Sequence, residues 1–398
     1  MATTQAKAIT IKDGDITASL KEFVRAVLAS DNIDAVLAPR HLPLSGNGAK
    51  PTVMPTLISD PEALSGVDLL SPAFPMNTAK MVSRLSRKPL GRTVAVFLRP
   101  CEIRAFVELV KLRQGRTEEV VIIGTDCPGA VRNTDFTRLG GDDNGSAVTN
   151  RFLDAMLDGG EAMFEDVPLM TACQACEHPT PDGADIAIGL WGADLKNQAL
   201  AMAQTPKGEA LLGNLGLTDA NVPAERASAV EKVVTDRTAF RDEMYAETEA
   251  ATSDLSKLTD YLAGCVNCYN CRVACPVCYC RECVFVTDAF NHEPAQYLQW
   301  ALRKGAIKMP TDTTFYHITR LAHMSTACVG CGQCSNACPN DIPVMELFRT
   351  AARKTQAAFD YEAGRDLEAP PPLTEFRENE FTDVVGIASA HSKQKGAA

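Results

Sequence analysis

The sequence is short of positive charge: 39 Lys and Arg against 50 Asp and Glu leave a formal charge of −11. Nucleic acid and anionic membrane surfaces are thereby excluded as general partners. Long apolar runs are missing too, and no stretch approaches the ~20 residues of a membrane-spanning helix; no transmembrane segment is expected. The opening MATTQAKAITIKDGD has no apolar core behind a basic segment. No secretory signal is therefore expected, and the chain reads as cytoplasmic. No G-x-G-x-x-G follows the first strand, which leaves a Rossmann dinucleotide site without support. Cysteine, by contrast, is abundant at 15 residues, seven of them inside GCVNCYNCRVACPVCYCREC, residues 264 to 283. Thiols in a cytoplasmic setting stay reduced, so clustered cysteines point to metal rather than to disulfides. A chain of 398 residues has no need of staples and is long enough for two or three domains.

The first half alternates helical and extended patterns. Leu20, Phe23, Val24, Val27 and Leu28 fall at helical spacing before a short apolar stretch, Ala35 to Leu37. TVAVFL (93 to 98) reads as a strand, RPCEIRAFVELVKLRQG as a turn and helix with Ile103, Phe106, Val107 and Val110 on one face, and EVVIIG (119 to 124) as the next strand. An α/β domain with parallel strands at its centre is expected over residues 1 to 195. Residues 196 to 263, rich in Ala, Leu, Glu and Lys, read as a helical connector. A cysteine-rich, ferredoxin-like (α+β, helix-inserted) two-cluster domain is expected over 264 to 345, and a C-terminal helix with a flexible tail over 346 to 398, extended or disordered from about 365.

Cys265, Cys268, Cys271 and Cys275 followed by Pro276 match the bacterial ferredoxin run C-x2-C-x2-C-x3-C-P, and Cys328, Cys331, Cys334 and Cys338 followed by Pro339 repeat it. Three cysteines two residues apart wrap one face of a cubane, while the fourth ligates the other cluster. One 4Fe-4S cluster is then expected on Cys265, Cys268, Cys271 and Cys338, the second on Cys328, Cys331, Cys334 and Cys275. Structural zinc more often uses separated C-x2-C pairs. The 52 residues between Cys275 and Cys328 carry two helix-like stretches, AQYLQWALRKG and FYHITRLAHM. His292, His317 and His323 in that insert read as ordinary polar or core histidines.

Four more cysteines are informative. Cys101 and Cys127 directly follow strands, and in parallel strands both would lie at the carboxyl edge, where α/β sheets bind ligands. Cys173 and Cys176 in TACQACEHPTPDGADIAIG form a C-x2-C pair. Together the four thiols are enough for a third 4Fe-4S cluster. The alternative leaves Cys101 and Cys127 as small buried apolar residues and gives the pair, with His178, to zinc. Spacing does not assign Cys278, Cys280 and Cys283, and no catalytic residue can be named.

With RPCEIRAFVELVKL, GTDCPG, the C-x2-C segment ending ADIAIG, CVNCYNCRVACPVCYCRECVF and the helix and strand of 15 to 38 in view, the chain resembles the coenzyme F420 hydrogenase/dehydrogenase beta subunit family. It is most similar to the beta subunits of F420-linked formate dehydrogenases, over most of residues 15 to 345. The resemblance implies an FAD-binding α/β domain fused to a ferredoxin-like domain. In the family, FAD joins a two-electron hydride carrier to one-electron clusters, and a separate subunit performs the formate or hydrogen chemistry. The implied partner is a catalytic redox subunit, namely a formate dehydrogenase or hydrogenase large subunit or a heterodisulfide-reductase-like complex, together with a soluble hydride carrier. Coenzyme F420 follows from the resemblance alone, and NAD or ferredoxin stay open. By position in the family pattern, SPAFPMNTAKM replaces a flavin-proximal segment, which makes Ser71, Asn77, Thr78 and Lys80 the candidate flavin contacts. The alternative there is a plain turn and helix start capped by Asn77. Two other functions remain open: a flavin-free iron–sulfur wire or scaffold linking two redox partners, and a zinc-stabilised interaction module.

Overall fold

The computed structural model describes residues 6–42, 52–140, 145–157, 162–287, 293–304 and 313–375. Its strands, in chain order, are β1 (Ala6–Thr10), β2 (Ala35–His41), β3 (Val53–Ile58), β4 (Val94–Leu98), β5 (Val120–Thr125), the hairpin β6 (Met163–Phe164) and β7 (Val167–Pro168), β8 (Ile186–Gly189), β9 (Gln198–Ala203) and β10 (Thr218–Asp219). All but the hairpin join one sheet in the order β10-β1-β9-β8-β5-β4-β2-β3. The four central strands, β2, β4, β5 and β8, are parallel, and the flanking pairs are antiparallel.

Central parallel strands need cover on both faces, and theirs are apolar on both. Val36, Ala95, Phe97, Val121 and Ile123 point into a core with helices Ile16–Leu28 and Gly145–Leu157. Leu20, Phe23, Val24, Val27 and Leu28 are all buried there, and the Asp15 carboxylate accepts the Ala18 amide at 3.0 Å to start the first of these helices. Ala35, Leu37, Val94, Val96, Leu98 and Ile122 face the other way, onto helices Ala79–Leu85 and Pro100–Lys111. Pro55 is tolerated in β3 because that strand is an edge.

The sheet does not stop at residue 195 as expected. β9 and β10 lie inside the stretch read as helical, and QALAMA in β9 is a helix former by propensity that pairs with β1 on one side and β8 on the other. Tertiary pairing overrides the local preference. The helical connector proper is Glu225–Ala251, 27 residues, followed by Leu255–Tyr261.

No strand occurs between 264 and 345 among the described residues, so the α+β expectation for the cysteine-rich region gives way to helices: Asn270–Ala274, Pro294–Lys304, Thr313–Met324 and Gln333–Asn336. The two helix-like stretches of the insert are the second and third of these. This region is no separate globule. Leu262, Cys271, Val277, Phe285, Tyr316, Leu347 and Phe348 share the apolar core that contains Val94, Phe106 and Leu109. The C-terminal helix Val344–Ala358 leads into a segment that folds back rather than trailing away. Arg104 donates to the Ala363 carbonyl at 2.8 Å, and the Glu108 carboxylate accepts both Tyr361 Oη and the Gly364 amide at 2.7 Å. The part of the expected tail from 376 onward lies outside the described residues.

At the carboxyl end of β5, Asp126 is fully buried and paired with Arg226 at 2.5 and 2.9 Å, while accepting the Leu190 and Trp191 amides. This pairing ties the connector helix to the loops after β5 and β8. Breaking such a pair from one side strands a buried carboxylate, at a cost of about 3–5 kcal/mol. Arg226→Ala is therefore expected to destabilise the protein by that order, read as a fall in the midpoint of anaerobic denaturant unfolding, whereas Arg25→Ala at an exposed pair should leave the midpoint nearly unchanged.

Candidate metal centres

Parallel pairing of β4 with β5 places Cys101, two residues into its helix, and Cys127 past the same edge of the sheet. The Cys173–Cys176 loop closes over that edge. Cys101, Cys127, Cys173 and Cys176 line one cavity with Phe74, Arg99, Arg237, His178 and, from the second ferredoxin run, Cys331. Arg237 donates to the carbonyls of Cys127 and Pro128, at 3.3 and 2.9 Å. Arg349 donates to the Ala175 carbonyl at 2.6 Å and pairs with Glu177, pinning the loop that carries the C-x2-C pair. His178 turns its ring toward Glu177 and Glu362, at 3.7 and 3.6 Å, while its carbonyl meets Cys176 Sγ. The two cysteine loops approach closely enough that a Cβ on Gly332 would lie 2.4 Å from the Ala172 Cβ, and Gly332 also holds a φ of +77°. Only glycine fits there.

The two ferredoxin runs interleave. Cys265 lies near Cys271, Cys338 and Cys268, and these neighbours, after burial, push its thiol pKa up. Cys334 is raised by burial and then by Cys275, Cys331 and Cys328, and Cys328 and Cys331 also feel Cys275. Cys338 of the second run is thus a neighbour of Cys265, and Cys275 of the first run a neighbour of Cys328, Cys331 and Cys334. The short helices Asn270–Ala274 and Gln333–Asn336 pack together to allow this. Among the described residues, no three His, Cys, Asp or Glu side chains close on a single ion.

The donor set fits clusters on a second count. Burial drives the thiols of Cys101, Cys127, Cys173, Cys328, Cys331 and Cys334 above their ordinary pKa, Cys173 to about 12. Left free they stay protonated, and a bound metal would be what ionises them. Near the cysteine loops several buried nitrogens lack an acceptor: Arg104 Nε, Arg272 Nε, His317 Nδ1 and Arg320 Nε.

Helix Thr313–Met324 supplies a contribution that spacing did not reveal. His317 Nε2 lies 3.4 Å from Cys265 Sγ, Tyr316 Oη 3.4 Å from Cys271 Sγ, and Arg320 Nη1 3.1 Å from Cys271 Sγ. Burial, then Arg320, lowers the His317 pKa to about 4, so its ring is neutral. His317 is a buried core histidine, as expected, and its ring also meets Cys265 Sγ. His323 is exposed and His292 lies outside the described residues. The only sequence signal was indirect: a helix placed between two ligand runs must return the chain past the first one.

The four candidate flavin contacts are not gathered around one cavity. Ser71 is buried and accepts the Ala73 amide at 3.4 Å, and Asn77 accepts the Ala79 amide at 3.1 Å, which is the plain turn-and-cap reading. The Asn77 side chain also faces Cys331, whose thiol is raised by burial and Cys275 and lowered by that amide. The Thr78 amide donates to Glu102 at 2.7 Å, and Thr78 lines a narrow space under Phe74 and Phe97. Lys80 reaches away to the carbonyls of Val273 and Cys275, at 3.1 and 3.5 Å. As a flavin-holding set these residues do not fit. Two of them serve the cluster loops instead. Of the unassigned cysteines, Cys278 is raised by burial and by Cys275 to about 11, Cys280 is exposed, and Cys283 packs partly buried on the shared core.

Residues 323–344 match the 4Fe-4S binding domain family. Two curated relatives are the F420-dependent formate dehydrogenase subunit beta of Methanocaldococcus jannaschii, 27% identical over 341 residues, 80% of this chain and 85% of that one, and the F420-dependent formate dehydrogenase 1 subunit beta of Methanococcus maripaludis, 28% identical over 353 residues, 80% of this chain and 84% of that one. The resemblance carried by the cysteine segments holds over four-fifths of the chain. No described helix is long and apolar enough to cross a membrane.

The interleaving makes a direct prediction. Cys275→Ala is expected to perturb the same EPR signal as Cys331→Ala and to spare the one lost in Cys268→Ala, with Cys338→Ala behaving as the reciprocal case. If Cys275→Ala tracked Cys268→Ala, each run would own its cluster and the arrangement of thiols described above would not be the ligand set.

Proposed function

We propose that the chain is an iron–sulfur electron-transfer subunit of an oxidoreductase, holding three 4Fe-4S clusters in series and passing electrons between a two-electron hydride carrier, coenzyme F420 or similar, and a catalytic partner of the formate dehydrogenase or hydrogenase type, or a heterodisulfide-reductase-like complex. One observation carries this reading: Cys331 belongs to the second ferredoxin group and also lines the cavity of Cys101, Cys127, Cys173 and Cys176. The sheet-edge thiols, the group completed by Cys275 and the group completed by Cys338 are thus consecutive neighbours. Bound cubanes would supply single-electron storage. The protein's own part is to hold the two ferredoxin-type groups on one shared core with the sheet-edge thiols on a neighbouring one, and to leave Cys268 exposed at the far end. The names of the relatives support F420 as the carrier and formate dehydrogenase as the setting.

Hydride carriers deliver electrons in pairs and clusters take them singly, so a converter such as FAD is required somewhere along the route. FAD on this chain is part of the proposal and has no assigned residues. The flavin-free wire is favoured by one observation, the engagement of Asn77 and Lys80 with the cluster loops.

Anaerobically purified protein is expected to be brown and to hold about twelve iron atoms per chain, four for each cubane. Eight would remove the sheet-edge cluster and leave the ferredoxin pair. Flavin released on denaturation, together with its reduction ahead of cluster reduction in rapid-mixing spectra, would establish the converter on this chain. Iron at twelve with no flavin would establish the wire, and colourless protein would overturn both.

A further inference from the structure

Arg320 is 4% exposed, and no carboxylate is paired with it among the described residues. Its guanidinium donates to Cys271 Sγ at 3.1 Å and to the Cys271 carbonyl at 3.3 Å, lies over the Phe348 ring at 4.5 Å, and keeps a buried Nε without an acceptor. Cys271 sits on the short helix that packs against the one carrying Cys334. Arg320 therefore stands where the two ferredoxin-type groups meet.

A guanidinium cannot lose its charge in a protein, and an unpaired buried cation is strongly unfavourable. Something anionic must answer it. Four thiolates on each cubane core leave a net negative unit, and one-electron reduction makes it more negative. A fixed cation in a low-dielectric interior stabilises the reduced form more than the oxidised one. Burial works against the charge of Arg320, but Cys271, then Cys275 and Cys334, hold its pKa above the ordinary value. Those three cysteines come from both groups.

We infer that Arg320 is a fixed counter-charge shared by the two ferredoxin-type clusters, raising the reduction potential of both, while its helix neighbours Tyr316 and His317 act on the cluster of Cys271 alone. The inference rests on the proposal that both clusters form, and it assigns to the insert between the two cysteine runs the task of setting potentials. Cluster potentials respond to charge, to hydrogen bonds on sulfur and to solvent exposure, and this helix supplies the first two at positions i, i+1 and i+4 of a single face.

EPR-monitored redox titration of anaerobic holoprotein tests it. Arg320→Gln and Arg320→Met are expected to lower both cluster potentials, each by at least a tenfold fall in the reduced-to-oxidised ratio at fixed ambient potential, about 59 mV for one electron. Tyr316→Phe should lower only the signal that Cys268→Ala removes. Unchanged potentials in iron-replete Arg320→Gln would overturn the inference, and so would a shift confined to one cluster, which would reduce Arg320 to a hydrogen bond on Cys271. Should both neutral variants lose iron, Arg320→Lys decides. Full iron with both potentials held within the tenfold ratio of wild type would show that the shared charge is the operative property, because a lysine keeps the cation and loses the fork, whereas a fall confined to the Cys271 cluster would again reduce Arg320 to a hydrogen bond and overturn the inference. Loss of iron in Arg320→Lys as well would overturn the inference in favour of shape. Wild-type protein without two cluster signals would instead overturn the proposed function.

Discussion

Burying a thiol favours its protonated form, because a thiolate taken out of water loses its hydration. Eight cysteines here sit where burial is the largest influence on them and drives their pKa upward. Such a set can ligate iron only if positive charge replaces the lost solvent. A bound metal would supply most of it, and the fold supplies cations of its own: Arg99 and Arg237 act on Cys127, Arg320 on Cys334, Lys80 on Cys278. In a chain of net charge −11, these cations are placed inward, at the cysteine loops.

The same constraint explains why the sheet and the cysteine-rich region share a core. A cluster site that breathed would admit water and change its electrostatics. The helix Pro100–Lys111 carries Cys101 at one end, hydrogen-bonds the C-terminal segment through Arg104 and Glu108 along its length, and packs its apolar face with Phe348 and Leu347. One helix therefore fixes a sheet-edge thiol, the C-terminal helix and the second ferredoxin group against each other. Gly332 allows the last approach, between the loop of Cys331 and the loop of Cys173.

Much of this was legible in the sequence because ligand geometry forces spacing. The trailing Cys-Pro of the runs at Cys265 and Cys328 already points to interleaving, which remains to be tested by the cysteine variants, and a strand followed at once by cysteine specifies the carboxyl edge once the strands are parallel. What stayed hidden has a different character. β9 is an Ala-rich strand whose helix-like composition is overruled by pairing on both sides. Folding of the C-terminal segment onto Glu108 depends on Tyr361 and Gly364, neither of which signals a partner by itself. His317 and Arg320 look like any polar residues of an amphipathic helix, because the sulfur atoms they meet lie about fifty positions earlier in the chain, as the separation of 52 between Cys265 and His317 shows.

Segment 71 to 80 shows most clearly how function follows position rather than residue type. Ser, Asn, Thr and Lys in a turn before a helix are suited to a phosphate-bearing cofactor, and the resemblance pointed the same way. In the fold the turn lies under the second ferredoxin run: Gln333 and Asn336 both donate to the Phe74 carbonyl, at 3.0 and 3.1 Å, and draw it onto the helix of Cys334. Once that contact forms, Asn77 faces Cys331 and Lys80 faces the carbonyl of Cys275. Both side chains are then turned toward cysteine loops, where an amide and an ammonium would each stabilise negative charge. Through docking of the ferredoxin runs, the segment that would hold a flavin's polar groups in an isolated α/β domain is turned instead against the loops of Cys275 and Cys334.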